Sequence, residues 1–120
     1  MRTAVIILGH GSRSTGSETA VRAVVAEMKK SGHVIVEHAF LQYVSPTPQE
    51  ALARCIGQRA ERIVIVPFFL QAGAHVTRDI PALVADARKA HPGIEIVVTD
   101  YVGNHPLMGK VVEGLVKDLV

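Results

Sequence analysis

Four short apolar runs, each rich in β-branched residues and each followed by a segment of helical period, restrict what this chain can become. The first, Ala4-Val5-Ile6-Ile7-Leu8, is unbroken and too short for a helix, so it reads as a strand buried on both faces. It ends in Gly9-His10-Gly11, where glycine lets the backbone leave the strand through a tight turn. His10 is thereby set at the carboxyl end of a central strand, the place where open α/β sheets bind their ligands.

The remaining runs repeat the theme. Val34 to Leu41 forms a second strand, Ile63 to Pro67 a third that is again buried on both sides, and Ile94 to Thr99 a fourth. Thr15 to Glu18 and Thr47 to Glu50 fit capping boxes, the latter with Pro48 at the first helical position. The helical stripes that follow are Val21, Val24, Val25 and Met28, then Leu52, Cys55 and Ile56, then Ile80, Leu83, Val84 and Ala87. Asn104 is placed to cap a last helix with an inward stripe of Leu107, Val111, Leu115 and Leu119. Val116 and Val120 lie beyond that stripe as apolar surface for pairing with another chain.

Strand and helix alternating four times, with no linker between, predict one domain over residues 1–120. The expected architecture is a three-layer α/β/α sandwich on a four-stranded parallel sheet. Right-handed crossovers with the first and third strands central give the order 2-1-3-4. His10 then follows strand one and His75 follows strand three, so both open onto the crevice where the strand order reverses. The link between strand three and the next helix, residues 68–75, is long and unusually apolar, which marks functional loops.

The totals exclude several classes of function. A net charge of +2 is too small for a nucleic-acid surface, though it permits a local basic pocket. The single cysteine, Cys55, allows neither an internal disulfide nor a Cys-rich zinc site. No run reaches the length of a membrane span, and the apolar start breaks at Gly9-His10-Gly11 without a cleavage site, so a cytoplasmic protein is expected. Gly9 and Gly11 lack the third glycine of a dinucleotide fingerprint, since Ser14 stands there. Gly11 to Gly16 has phosphate-loop spacing, but Ser17-Glu18 replaces the required Lys-Ser/Thr. A phosphohistidine enzyme would need arginine before His10, where Gly9 stands.

Six histidines carry the remaining chemistry. His33 and His91 sit at helix ends, His38 within a strand and His105 at a helix start, and all four read as structural. His10 and His75 each adjoin small residues after a buried strand on the ligand-binding edge. Two imidazoles with open coordination positions make a poor permanent metal site but suit an ion held briefly and passed on.

Leu8-Gly-His-Gly-Ser-Arg13, Val66-Pro-Phe-Phe-Leu70 and Gly73-Ala-His-Val-Thr-Arg-Asp-Ile-Pro81 together resemble the small CbiX-type sirohydrochlorin cobaltochelatases of the class II chelatase group. The resemblance spans nearly the whole chain. It implies insertion of a divalent metal, cobalt first and nickel or iron in relatives, into the tetrapyrrole sirohydrochlorin. The metal is then a substrate, with no permanently bound cofactor. The two metal-handling histidines of the family correspond to His10 and His75. Larger relatives carry two such domains, so a chain of this size is expected to pair as a homodimer. Many chelatases place an acid near the end of the second strand, where this chain has Gln42. Glu37 or another acid serves instead, or no carboxylate is needed.

The residues are consistent with that chemistry. Neutral His10 and His75 can ligate an incoming ion and accept the two pyrrole protons. Arg13 and Arg78, each three residues after a histidine, can hold substrate carboxylates by bidentate pairing, and Ser12 offers a further donor. Phe68, Phe69 and Leu70 supply an apolar wall for the macrocycle. The same histidines would equally serve a non-catalytic metal or tetrapyrrole carrier, which stops at one equivalent where an enzyme turns over.

Overall fold

The computed structural model describes residues 1–12, 18–33 and 35–120, the side chain of His75 excepted. Among these residues the strands are β1 (Thr3–Gly9), β2 (Ile35–Phe40), β3 (Arg62–Pro67) and β4 (Glu95–Val98). The helices are α1 (Thr19–Lys30), α2 (Pro48–Gly57), α3 (Ile80–Ala90) and α4 (Met108–Val116). A π-helical turn, His75–Asp79, leads into α3, and a 3₁₀ turn, Val102–Asn104, precedes α4. The four strands are parallel in the order β2-β1-β3-β4, as the crossover argument requires.

β1 is the keystone of the sheet. Its register sets Ile6 against Glu37 of β2 and Ile65 of β3, so both of its edges are paired. Ala4, Ile6 and Leu8 point into the larger core with Ile63, Ile65, α2 residues Leu52 and Cys55, and α3 residues Ile80 and Val84. Val5 and Ile7 point the other way, onto Phe40 and Val21 of α1, with Val24, Val25 and Met28 along the rim. An all-aliphatic strand is the natural result of covering both faces.

Local signals set the helix starts. Glu50 N–H donates to Thr47 Oγ1 at 3.1 Å and Thr47 N–H donates to Glu50 Oε1 at 2.9 Å, closing the capping box. Of the other expected box, Thr15 lies outside the described residues, while Glu18 stands at the N-cap of α1 and takes Arg22 Nε at 3.1 Å.

Three expectations need correction. The stripe Leu107, Val111, Leu115 and Leu119 does not face inward: all four side chains are exposed, and no residue of α4 is buried. Asn104 does not cap α4, because it lies in the 3₁₀ turn and donates its amide to Asp100 Oδ2 at 2.6 Å. Nor is β3 fully buried on both sides, since Val64 and Val66 on the α1 face are only half-covered. α4 has no substantial packing on any strand among the described residues, which leaves its stripe exposed and the α1 face of β3 half-covered.

No helix among the described residues is long and apolar enough to cross a membrane. Thr47→Ala removes one half of the capping box and is expected to cost about 1 kcal/mol, read as a lower urea midpoint at unchanged slope.

Candidate functional site

Because β1 and β3 are parallel neighbours, the segments that follow them leave the same edge of the sheet. Pairing continues past the strands. Phe68 N–H donates to Leu8 O at 2.8 Å, Leu41 N–H to Gly9 O at 3.0 Å, and Gln42 N–H to His10 O at 3.1 Å. The chain at His10 is thus pinned along the sheet edge while its imidazole remains exposed. Gly11 makes this possible. Its φ is +89°, and a Cβ there would overlap the carbonyl oxygen of Gln42.

Gln42 is the residue closest to the chemistry that sequence reasoning misjudged. It stood out only as a missing acid, yet its amide nitrogen lies 2.8 Å from His10 Nε2. With the amide nitrogen facing the ring, Nε2 accepts and the ring proton sits on Nδ1; with the amide turned over, its oxygen takes an Nε2–H and the Nδ1 lone pair is open to a metal ion. Rotating the amide would present its oxygen to a protonated Nε2, so one side chain can attend both states of the ring. Nothing in the local sequence reveals a contact between residues 32 positions apart.

Glu37 is not at this site. It pairs with Ile6 in the sheet, about 13 Å before His10 along β1. Its carboxylate accepts from Gln58 at 3.1 Å and faces Arg54 at 3.8 Å, toward α2.

The proposed apolar wall divides. Successive side chains alternate across an extended chain, so Phe68 joins the α1 side and Phe69 the α2–α3 side. Phe69 meets His10 edge-on, with ring centroids 6.4 Å apart at 80°. Leu70 is 69% exposed. Behind it, Gly103 donates its N–H to Phe69 O at 2.8 Å, and a Cβ at Gly103 would overlap the Leu70 carbonyl. Residues 101–105 therefore buttress the loop that carries Phe69 and Leu70.

Ser12 follows Gly11 and is half-buried. Arg13 and the imidazole of His75 lie outside the described residues. The backbone of His75 opens the π-helical turn after β3, and Arg78 in the same turn is exposed, 3.8 Å from Asp79. Among the described residues no three His, Cys, Asp or Glu side chains converge. Two hollows, of about 370 and 530 Å³, lie instead at the β3–β4 edge. Both are lined by Thr99, Asp100 and Tyr101, which the sequence did not single out.

The other histidines have local roles. His105 Nδ1 accepts from Leu107 N–H at 3.1 Å, and His91 ends α3. His38 packs against Phe40, and burial, with Arg22 nearby, holds its pKa below the usual imidazole value. Burial, with Glu37 adding to it, pushes the Cys55 thiol up to about 12, so it is no thiolate ligand at neutral pH.

This sheet order, with helices on both faces, is that of chelatase-like proteins of known structure. The cobalt complex of the sirohydrochlorin chelatase SirB from Bacillus subtilis subspecies spizizenii superposes with a TM-score of 0.88 at 30% identity, over 99% of this chain and 51% of that one. A CbiX protein of Marinobacter aquaeolei VT8 superposes at 0.85 with 26% identity, over 98% and 94% of the two chains. The CbiX family model matches residues 4–119, and the chain belongs to that family. The sirohydrochlorin ferrochelatase of Arabidopsis thaliana chloroplasts is 40% identical over 90% of this chain and 48% of its own length. The sirohydrochlorin cobaltochelatase of Methanococcoides burtonii is 32% identical over 90% and 89%. The chain thus spans about half the Arabidopsis relative and nearly all of the archaeal one.

Gly11→Ala is expected to force Gln42 away from His10. It should lower stability by about 1–3 kcal/mol and shift the His10 ring resonances, read by thermal unfolding and NMR.

Proposed function

We propose that this chain is a sirohydrochlorin metal chelatase, built as one chelatase-like domain, that inserts a divalent ion into the tetrapyrrole. His10 and His75 ligate the ion and accept the pyrrole protons. Cobalt is the foremost metal, with nickel and ferrous iron as alternatives, since relatives are named as both cobalto- and ferrochelatases. The observation that carries this reading is the position of His10: exposed at the exit of the central strand, its Nε2 hydrogen-bonded to Gln42, next to the strand that leads to His75.

In this mechanism the neutral imidazoles exchange water for the metal one ligand at a time. As the ion passes to the macrocycle, each freed ring nitrogen takes a pyrrole proton. Gln42 steadies the His10 ring in both protonation states. Arg78 and Arg13 hold substrate carboxylates, Ser12 adds a donor, and Phe68, Phe69 and Leu70 form the apolar side of the cleft. The chain works as a homodimer, a reading supported by its alignment with half of a twofold longer SirB chain.

An anaerobic insertion assay, followed by the change in tetrapyrrole absorption with cobalt, nickel or ferrous iron in excess, tests the reading. Turnover beyond one equivalent is expected. His10→Ala and His75→Ala should each fold and lose at least about 10²-fold in rate; retained activity in both would remove the mechanism. Arg78→Ala should raise KM with kcat little changed.

Gln42→Glu places a carboxylate beside His10 and favours the imidazolium. The neutral ring then appears only at higher pH, so the acidic limb of the kcat/KM profile should move upward.

A further inference from the structure

Among the described residues, two that are not glycine hold a left-handed backbone: Tyr43 at φ +68° and Arg59 at φ +67°. Arg59 has an ordinary reason. It follows the last turn of α2, where its N–H donates to Ile56 O at 2.9 Å and the N–H of Ala60 donates to Cys55 O at 3.1 Å. Those paired bonds are a Schellman helix end, which takes a left-handed residue by design. Tyr43 ends no helix. The N–H of Val44 reaches back to Gln42 O at 2.9 Å, so Tyr43 is the middle residue of a γ-turn of the rare, strained hand. A bulky side chain there destabilises a turn that glycine would adopt freely.

The two cores do not offset that strain, since Tyr43 belongs to neither and is 59% exposed. Strain of this kind clusters at ligand contacts. Its place in the fold agrees. β1 lies between β2 and β3, so the segment after β2 flanks His10 on one side and the segment after β3 flanks it on the other. Tyr43 directly follows Gln42, whose amide meets His10 Nε2 at 2.8 Å. Across His10 stand Phe69, edge-on to the imidazole, and the exposed Leu70.

The distribution of aromatic residues agrees as well. The chain has five: Phe40, Tyr43, Phe68, Phe69 and Tyr101. Every one lies at or just past the carboxyl end of a strand, and none stands at the opposite edge of the sheet. An otherwise aliphatic chain thus concentrates its flat π surfaces where the site of His10 opens.

We propose that Tyr43 is a substrate-binding residue, whose ring packs on the flat face of the tetrapyrrole and forms the wall of the cleft across His10 from Phe69 and Leu70. A conjugated macrocycle offers broad π faces, and an exposed aromatic ring gains most against such a face. The carbonyl of Gln42 that closes the turn is also the atom that a Cβ at Gly11 would overlap. The turn bearing Tyr43 is therefore seated against the glycine turn after His10, which holds ring and imidazole in one frame. The proposal rests on the chelatase reading above and adds a contact to it.

Binding of metal-free sirohydrochlorin to the full chain, followed by the change in its absorption, tests the contact without turnover. Tyr43→Ala should weaken binding about tenfold, and Tyr43→Phe by about twofold at most. Tyr43→Gly should also weaken it about tenfold, yet melt no lower than the wild type, because glycine relieves the strained turn. Affinity lost while stability is kept is a result that a packing role does not produce. Cobalt titrated alone should bind the variants as it binds the wild type.

A wild type that does not bind the tetrapyrrole overturns the chelatase reading, and this contact with it. A wild type that binds, with Tyr43→Ala and Tyr43→Gly binding equally well, overturns the contact alone. So does a Tyr43→Gly variant that melts lower, which would make the ring a prop of the fold. A parallel loss of cobalt affinity does the same, since Tyr43 would then act by supporting His10.

Discussion

Everything at the candidate site depends on β1 being sealed on all sides. Two helical layers cover its faces and two parallel strands take its edges, so its backbone has no freedom until Gly9. The first residue after this buried run to meet solvent is His10. The main chain there is still pinned by Gln42, and Gly11 turns it away in a conformation that an L side chain would resist. A rigid strand that ends in a pinned glycine turn thus presents an imidazole at a fixed place. The aliphatic core and the polar edge are two ends of one element.

Much of this was legible from the chain alone because it is encoded locally. Unbroken runs such as Ile63 to Val66 identify parallel strands, and the crossover rule then fixes their order. Thr47 and Glu50 announce a helix start by chemistry that spans only four residues. What stayed hidden was relational. The period of Leu107, Val111 and Leu115 says that a helix has an apolar face, but not which surface receives it, and the assumption of an internal partner proved wrong. The contact between His10 and Gln42 joins two strand ends, so it exists only once the sheet has formed. The opposite facing of Phe68 and Phe69, by contrast, follows from strand alternation and was readable in principle.

Membership of the CbiX family links these details to relatives named for two different metals. An imidazole whose Nε2 is held by a neutral amide has its ring oriented without added charge. A carboxylate in the same place would tie ring orientation to ring protonation. The amide separates those two properties, at the cost of supplying no negative charge of its own.

Cys55 has a consequence of a different kind. The only sulfhydryl in the chain is sealed in the α2 interior and kept protonated by burial. A transition-metal ion arriving at the surface therefore meets nitrogen and oxygen donors and no soft sulfur anion that would trap it. The same sequestration shields the chain from oxidative cross-linking, so any association between copies is governed by reversible contacts.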